Sequence, residues 1–155
     1  MLPRTYDNQV CSVARTLEAI GDRWTLLVVR DLFLGLRRFD DLQRDLGVAR
    51  NVLTDRLTRL VDEGIVERRL YQERPERYEY RLTAKGLDLW PVVISLMKWG
   101  DRHALDEGGA PTRVLHKGCG GEIDERFNCR RCGEPVDVRS SQAVRRPDLM
   151  PARAS

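Results

Sequence analysis

VARNVLTDRLTRLVDE, residues 48–63, places Leu53, Leu57, Leu60 and Val61 at i, i+4, i+7 and i+8. That spacing is one apolar stripe on an α-helix. The N-terminal end of its other side carries Arg50, Asn51 and Thr54. These side-chain types bond to base edges and phosphates. Gly64 follows directly and stops the helix, as a glycine past the last turn does. Upstream, Gly47 marks a short turn after a second helical pattern, Phe39 to Leu46. A helix, a short glycine turn and a helix with a polar N-terminal face make the helix-turn-helix pattern. An ordinary amphipathic helix with a solvated polar face has the same stripe, so the segments on either side decide between the two.

Behind Gly64 the period changes from 3.6 to 2. Ile65 to Tyr71 reads as a strand, Gln72 to Arg77 as a polar turn and Tyr78 to Leu82 as the returning strand. A hairpin directly behind such a helix is a wing. Its tip carries Arg74 and Arg77, with Pro75 between them and with Glu73 and Glu76 as repulsive neighbours for phosphate. Ahead of the pattern, residues 11–20 form a short helix with Val13, Leu17 and Ile20 on one side. Asp22 is positioned to cap a central apolar helix, Arg23 to Leu34. Arg37 and Arg38 lie in the following link, free to meet phosphate. Thr83 caps a long last helix, Ala84 to about Leu105, which is apolar on nearly all sides and bent at Pro91. A domain this small covers one side of such a helix, so a second copy of the chain is expected on the other.

The 155 residues allow one domain and a small appendage. A net charge of +3, with 33% charged residues, is a mixed surface that permits nucleic-acid binding through a local patch. No signal peptide and no membrane-length apolar run is visible, so a cytoplasmic protein with no membrane contact is expected. Four cysteines are then expected to be reduced, metal-bound or redox-active.

Three of them fall in a glycine-rich segment beyond the Gly108–Pro111 break. His116-Lys117-Gly118-Cys119 and Cys129-Arg130-Arg131-Cys132 are two knuckles, each offering two ligands separated by two residues. One imidazole and three thiols make a closed tetrahedral zinc set, with Ile123 and Phe127 as a small core between the knuckles. The competing reading is a degenerate ribbon with free thiols or a Cys129–Cys132 redox pair. The organisation read from sequence is a winged-helix domain over residues 1–106, a linker over 107–113, a zinc-ribbon-like segment over 114–138 and a disordered tail over 139–155. The fold class is mainly α with a two-stranded β wing, plus this small β segment.

In this order of elements the chain resembles the HxlR family, winged-helix transcriptional regulators related to the MarR group. The likeness rests on Cys11, Ile20-Gly21-Asp22-Arg23-Trp24-Thr25, Phe39-Asp40-Asp41-Leu42, Val52-Leu53-Thr54-Asp55-Arg56-Leu57, Leu60 to Gly64, Tyr78 to Gly86, Pro91 and Trp99-Gly100. It covers about residues 10–106 and leaves the cysteine-rich segment outside. The resemblance implies a homodimer built mainly from the first and last helices, with each recognition helix in a major groove of double-stranded DNA. It implies base reading by Arg50, Asn51 and Thr54 and phosphate contacts from Arg37, Arg38, Arg56, Arg74 and Arg77. Arg56 has a competing use as a partner for Asp40, Asp41 or Asp62. Family members include repressors and activators, with repression the commoner role. Some sense oxidants or electrophiles through the cysteine that Cys11 resembles. Arg15 and Arg23 are then candidate partners for its thiolate, and plain packing is the alternative. An oxidised Cys11 would bridge to a second chain, or to a tail cysteine if the tail holds no metal.

Against an enzyme stands the absence of a phosphate-binding glycine loop, HExxH, GxSxG or a dinucleotide fingerprint. The other class to weigh is a winged-helix/zinc-ribbon adaptor that binds protein rather than specific DNA.

Overall fold

The computed structural model describes residues 5–105 and 107–149. The chain divides into two compact units that meet at Gly86–Leu87. The first contains α1 (Ser12–Ile20), α2 (Thr25–Phe33), α3 (Phe39–Leu46), α4 (Arg50–Asp62), β1 (Val66–Glu73) and β2 (Glu76–Leu82). A one-turn helix, α5 (Ala84–Leu87), spans the junction. The second contains α6 (Trp90–His103), β3 (Thr112–His116), β4 (Ser141–Arg145) and a 3₁₀ turn at Pro147–Leu149.

α2 is central to the first unit, as its apolar sequence implies, and buries Val28, Val29 and Leu32. Leu42 of α3 and Leu53, Leu57 and Leu60 of α4 complete the core with Ile65 and Val66. Val61 is 36% exposed, outside the stripe expected to contain it. It lies about 80° around the helix from Leu53, at the edge of the covered face. Gly64, at φ 70°, lets the chain leave α4 in a left-handed turn. The Ile65 N–H then reaches the Leu60 carbonyl at 2.9 Å, and the Gly64 N–H reaches that of Val61 at 3.0 Å. Asp22 does cap α2: one carboxylate oxygen accepts the Trp24 and Thr25 N–H groups at 2.9 and 3.1 Å.

Asp31 is fully buried on α2. Burial pushes its carboxyl up to about 7, and Asp45 adds to the rise, while the Arg30 guanidinium, 2.7 Å away, opposes it. The folded state therefore holds a proton that the unfolded chain releases near 3.8. The stability this proton contributes is complete below about 4 and is lost as pH rises through about 7. Denaturation midpoints of wild type are expected to fall relative to Asp31→Asn across that window, by at most about 1.4 kcal/mol per pH unit. Parallel pH profiles for the two proteins would refute the assignment.

Three sequence expectations are corrected. The wing strands each run two residues further than expected, pairing Gln72 with Arg77 and Glu73 with Glu76, so only Arg74 and Pro75 connect them. The ladder needs backbone partners rather than apolar side chains, and the polar residues there had read as a turn. The last helix is not one bent rod. It breaks between α5 and α6, and Pro91 takes the first turn of α6, where its missing N–H has no intrahelical partner to lose. Finally, part of the expected tail is ordered: Ser141–Arg145 pair antiparallel with Thr112–His116, which begins inside the expected linker. Ser141 is buried, and Ala143 lies opposite the buried Val114. Residues 150–155 of the expected tail lie outside the described residues. By contacts, α6 belongs to the second compact unit, which begins at Leu87. Among the described residues no helix is long and apolar enough to cross a membrane.

Candidate nucleic-acid interface and metal centre

α3 ends at Gly47, whose φ of 64° turns the chain so that Val48 buries and α4 starts two residues later. The three buried leucines fix one side of α4 and leave Arg50, Asn51 and Thr54 exposed at its first turns. Arg50 lies on α3: its Nη1 is 3.2 Å from Asp40 and 3.3 Å from Gln43, and its guanidinium sits 4.5 Å from the Phe39 ring centre. Arg56 is held differently. Its Nε is 2.9 Å from Asp22 and its Nη1 2.6 Å from Asp55, with the side chain only 23% exposed. The competing use expected for it is the one observed, though with other acids.

The link before α3 joins the wing. Tyr80 donates its N–H to the Arg37 carbonyl at 2.8 Å, and Arg38 forms an isolated antiparallel bridge with Glu79 of the two-stranded wing. Both arginine side chains are exposed, and Arg38 stacks 4.7 Å from the Tyr71 ring centre. Arg74 is at the exposed tip, whereas Arg77 is on strand β2. Arg38, Arg50 and Arg77 thus line one open groove of about 540 Å³ between α3, α4 and the wing, with Arg44, Tyr71 and Tyr78. Asp40, Asp41 and Glu76 line the same groove, and Arg44 is paired with Asp41 at 3.3 Å. Arg68, stacked 4.1 Å from Tyr78, is a further wing arginine that sequence reading passed over, as it did Arg44. Both sit in mixed-charge runs with no motif to single them out.

In the second unit the four expected ligands come together. The donor atoms of His116, Cys119, Cys129 and Cys132 all lie within 4.8 Å of one another. His116 Nδ1 is 3.6 Å from the Cys119 sulfur and 3.3 Å from that of Cys132, and the Cys119 and Cys129 sulfurs are 3.4 Å apart. Gly121 passes beneath the cluster, where a Cβ would stand 2.6 Å from the Cys129 sulfur. The Cys132 backbone N–H, then that of Arg131 and the Cys119 thiol, pull the Cys129 thiol down to about 6 against the opposing effect of burial. The Cys132 thiol is raised: the Glu134 N–H favours its thiolate, but desolvation and the neighbouring Cys129 and Cys119 outweigh it.

The profile of the HxlR-like helix-turn-helix family matches residues 19–107. The chain belongs to this family. It is thus a transcriptional regulator of the helix-turn-helix type. It is similar to the uncharacterized HTH-type transcriptional regulator Rv3095 of Mycobacterium tuberculosis, 45% identical over 83% of this chain and 82% of that one. Among solved structures it is similar to PA1607, a proposed transcription factor, with a TM-score of 0.70 and 33% identity over 91% of this chain and 99% of that one. The oxidized redox regulator HypR matches with a TM-score of 0.58 and 32% identity, over 62% of this chain and all of that one.

Within this HxlR-like chain, Cys11 is an exposed free thiol that caps α1, its sulfur accepting the Ala14 N–H at 3.3 Å. The arginines expected beside it are engaged elsewhere, Arg15 with Glu18 at 3.2 Å and Arg23 over the Trp24 ring at 5.7 Å. The cysteine cluster fits a metal. A tetrahedral zinc with bonds of about 2.3 Å to sulfur has sulfur–sulfur edges of about 3.8 Å, and the set provides four ligands with no open position. Separations of 3.3–3.6 Å for three of the pairs, with all four donor atoms within 4.8 Å of one another, are compatible with such a set, so these four residues could hold a metal ion.

Proposed function

We propose that this HxlR-like regulator is a homodimeric, sequence-specific DNA-binding repressor whose C-terminal ribbon is held by zinc. The observation that carries the reading is the exposed Arg50–Asn51–Thr54 edge of a recognition helix anchored from behind by Leu53, Leu57 and Leu60. Arginine suits guanine and asparagine suits adenine. Arg37, Arg38, Arg74 and Arg77 supply the phosphate contacts around it, and Arg56 serves to position α4. Zinc bound by His116, Cys119, Cys129 and Cys132 supplies a cross-link between the two knuckles and no reaction chemistry. For the dimer speak the apolar side chains left exposed in a single chain: Val13 (67%) and Leu17 on α1, and Val92, Leu96 (52%) and Trp99 (59%) on α6. Two-fold symmetry places half-sites about one helical turn, roughly 34 Å, apart. The likeness to the redox regulator HypR, with Cys11 exposed at a helix start, supports an oxidant as effector.

The test is a binding titration on duplexes selected from a random pool, repeated across salt. Arg50→Ala is expected to relax sequence preference by about 10- to 100-fold, the 1–3 kcal/mol of a bidentate base contact. Arg77→Ala is expected to weaken selected and random duplexes alike and to flatten the salt dependence. Equal losses on both duplexes for Arg50→Ala would remove its reading role. Failure of the pool to yield any preferred sequence would favour the protein-binding adaptor instead. Repeating the titration after peroxide, with Cys11→Ser alongside, decides the effector: release in wild type alone identifies Cys11 as the sensor, and equal responses exclude it.

A further inference from the structure

α6 carries two kinds of contact. One part of its surface is apolar and open, at Val92, Leu96 and Trp99. Another part is held by the loop that presents two of the four metal-site cysteines. The Trp90 ring, only 6% exposed as a residue, packs against Phe127 with ring centres 5.7 Å apart. Two turns on, the Lys98 ammonium donates to the Ile123 carbonyl at 2.8 Å. The helix has no side-chain cap at its start and is 14 residues long. Helices of that length are marginal alone and take their stability from packing.

The loop holding α6 is itself knitted around the cysteine cluster. Ile123 is fully buried and bridges to Cys129. The Cys129 N–H reaches the Glu134 carbonyl at 2.8 Å, and Val136 donates to the Phe127 carbonyl at 2.7 Å. Phe127 sits at φ 63°, a left-handed conformation that is unfavourable for a non-glycine residue. It is kept there by a turn in which the Asp124 carboxylate accepts the Arg126 and Asn128 N–H groups at 2.8 and 2.9 Å. Its ring therefore meets Trp90 only while the turn is formed. The buried part of this loop is essentially Ile123, Cys129 and Val136. So small a core does not hold without its cross-link.

We propose that the metal centre is a regulatory clamp on α6: metal occupancy orders the Ile123–Val136 loop, which fixes α6 through Trp90 and Lys98 and so sets the strength of self-association. This inference rests on the zinc and homodimer readings above and adds a link between them. A zinc-class divalent cation thereby becomes an effector of the regulator as well as a structural ion. Phe127 and Lys98 are the positioning residues of that link, and neither is a metal ligand.

The experiment uses the full chain loaded with zinc. Metal content is measured by elemental analysis and dimer dissociation by sedimentation equilibrium, before chelation, after it and after zinc is restored. In wild type, removal of one zinc per chain is expected to raise the dissociation constant at least tenfold, with recovery on reloading. Phe127→Gly accepts the same backbone angle, keeps all four ligands and removes the ring. It is expected to bind zinc at the same stoichiometry yet to dimerise as weakly as the chelated wild type, with no response to zinc. Lys98→Met, which leaves the loop sequence intact, is expected to change in the same direction. A dissociation constant that ignores zinc removal overturns the clamp while leaving the zinc and dimer readings standing. A chain that takes up no zinc overturns the metal reading and the clamp with it. A zinc-loaded chain that stays monomeric overturns the dimer reading and the clamp with it.

Discussion

Gly86→Ala is expected to destabilise the winged-helix unit by more than about 3 kcal/mol, at the severe end of single substitutions. On an exposed helical turn the same change would gain about 0.5–1 kcal/mol, because alanine loses less backbone entropy than glycine on folding. Here space reverses the sign. A Cβ on Gly86 would stand 2.2 Å from the Ile65 carbonyl oxygen and 3.0 Å from Leu82 Cδ2. The first obstacle is backbone and cannot rotate away. That same carbonyl accepts the Thr83 N–H at 3.0 Å, and the Thr83 hydroxyl donates to the Gly64 carbonyl at 2.6 Å. The corner where α4 gives way to β1 is thus tied to the end of β2 through Thr83, and Gly86 lies directly on the tie. Pushing α5 away to admit a methyl group breaks these bonds together and displaces the wing root. Guanidinium unfolding followed by far-UV circular dichroism measures the loss. Stability equal to or above wild type would show that the contact relaxes freely.

Gly86 also shows where sequence reading reached its limit. Its place behind the wing was legible, but the need for a missing side chain comes from a carbonyl 21 residues earlier, which no local pattern reveals. The recognition helix was legible because Leu53, Leu57 and Leu60 all face one core and their spacing records it. The clustering of His116, Cys119, Cys129 and Cys132 was legible because each knuckle holds its two candidate ligands two residues apart, the short spacing that a tetrahedral metal set would require. The wing's length was not, because strands that project from a domain are held by their ladder and by stacks such as Arg68 on Tyr78, and leave no apolar alternation. β4 was missed for a related reason. Ser-Gln-Ala-Val-Arg has one large apolar residue, and its order comes from a partner strand some 30 positions away. Val13, Leu17, Leu96 and Trp99 were legible as apolar helix positions, and the small size of the domain already implied an uncovered side on the last helix; which individual side chains stay exposed appears only in the fold. Asp22 was read as a cap and nothing more, because its second partner sits on another helix.

That second partner makes Asp22→Ala the other large effect, with an expected loss of about 2–4 kcal/mol. Removing the cap of α2 costs about 1–2 kcal/mol, since the Trp24 and Thr25 N–H groups lose their acceptor. The remainder comes from Arg56, whose Nε lies 2.9 Å from the same carboxylate, with both side chains less than a quarter exposed. Arg59, also on α4, comes within 3.9 Å. One carboxylate thus holds the start of the central helix and the middle of the recognition helix. Partial burial raises its pKa, but the Thr25 hydroxyl, the Trp24 and Thr25 N–H groups and the Arg56 charge outweigh that and keep it below the ordinary 3.8. Its contribution is accordingly present above about pH 4 and is lost as pH falls through the lower folded value. Asp22→Asn separates the two roles, because asparagine caps as well as aspartate but carries no charge for Arg56. It is expected to recover the cap part of the stability at neutral pH and not the rest. A double-mutant cycle with Arg56→Met isolates the pair and should return a coupling of about 1 kcal/mol or more. Because α4 presents Arg50, Asn51 and Thr54 together, a shifted α4 is expected to weaken selected and random duplexes by the same factor in the binding titration, unlike Arg50→Ala. Full duplex affinity in Asp22→Asn would instead show that the three leucines alone fix the recognition helix and that the Asp22–Arg56 pair serves stability only.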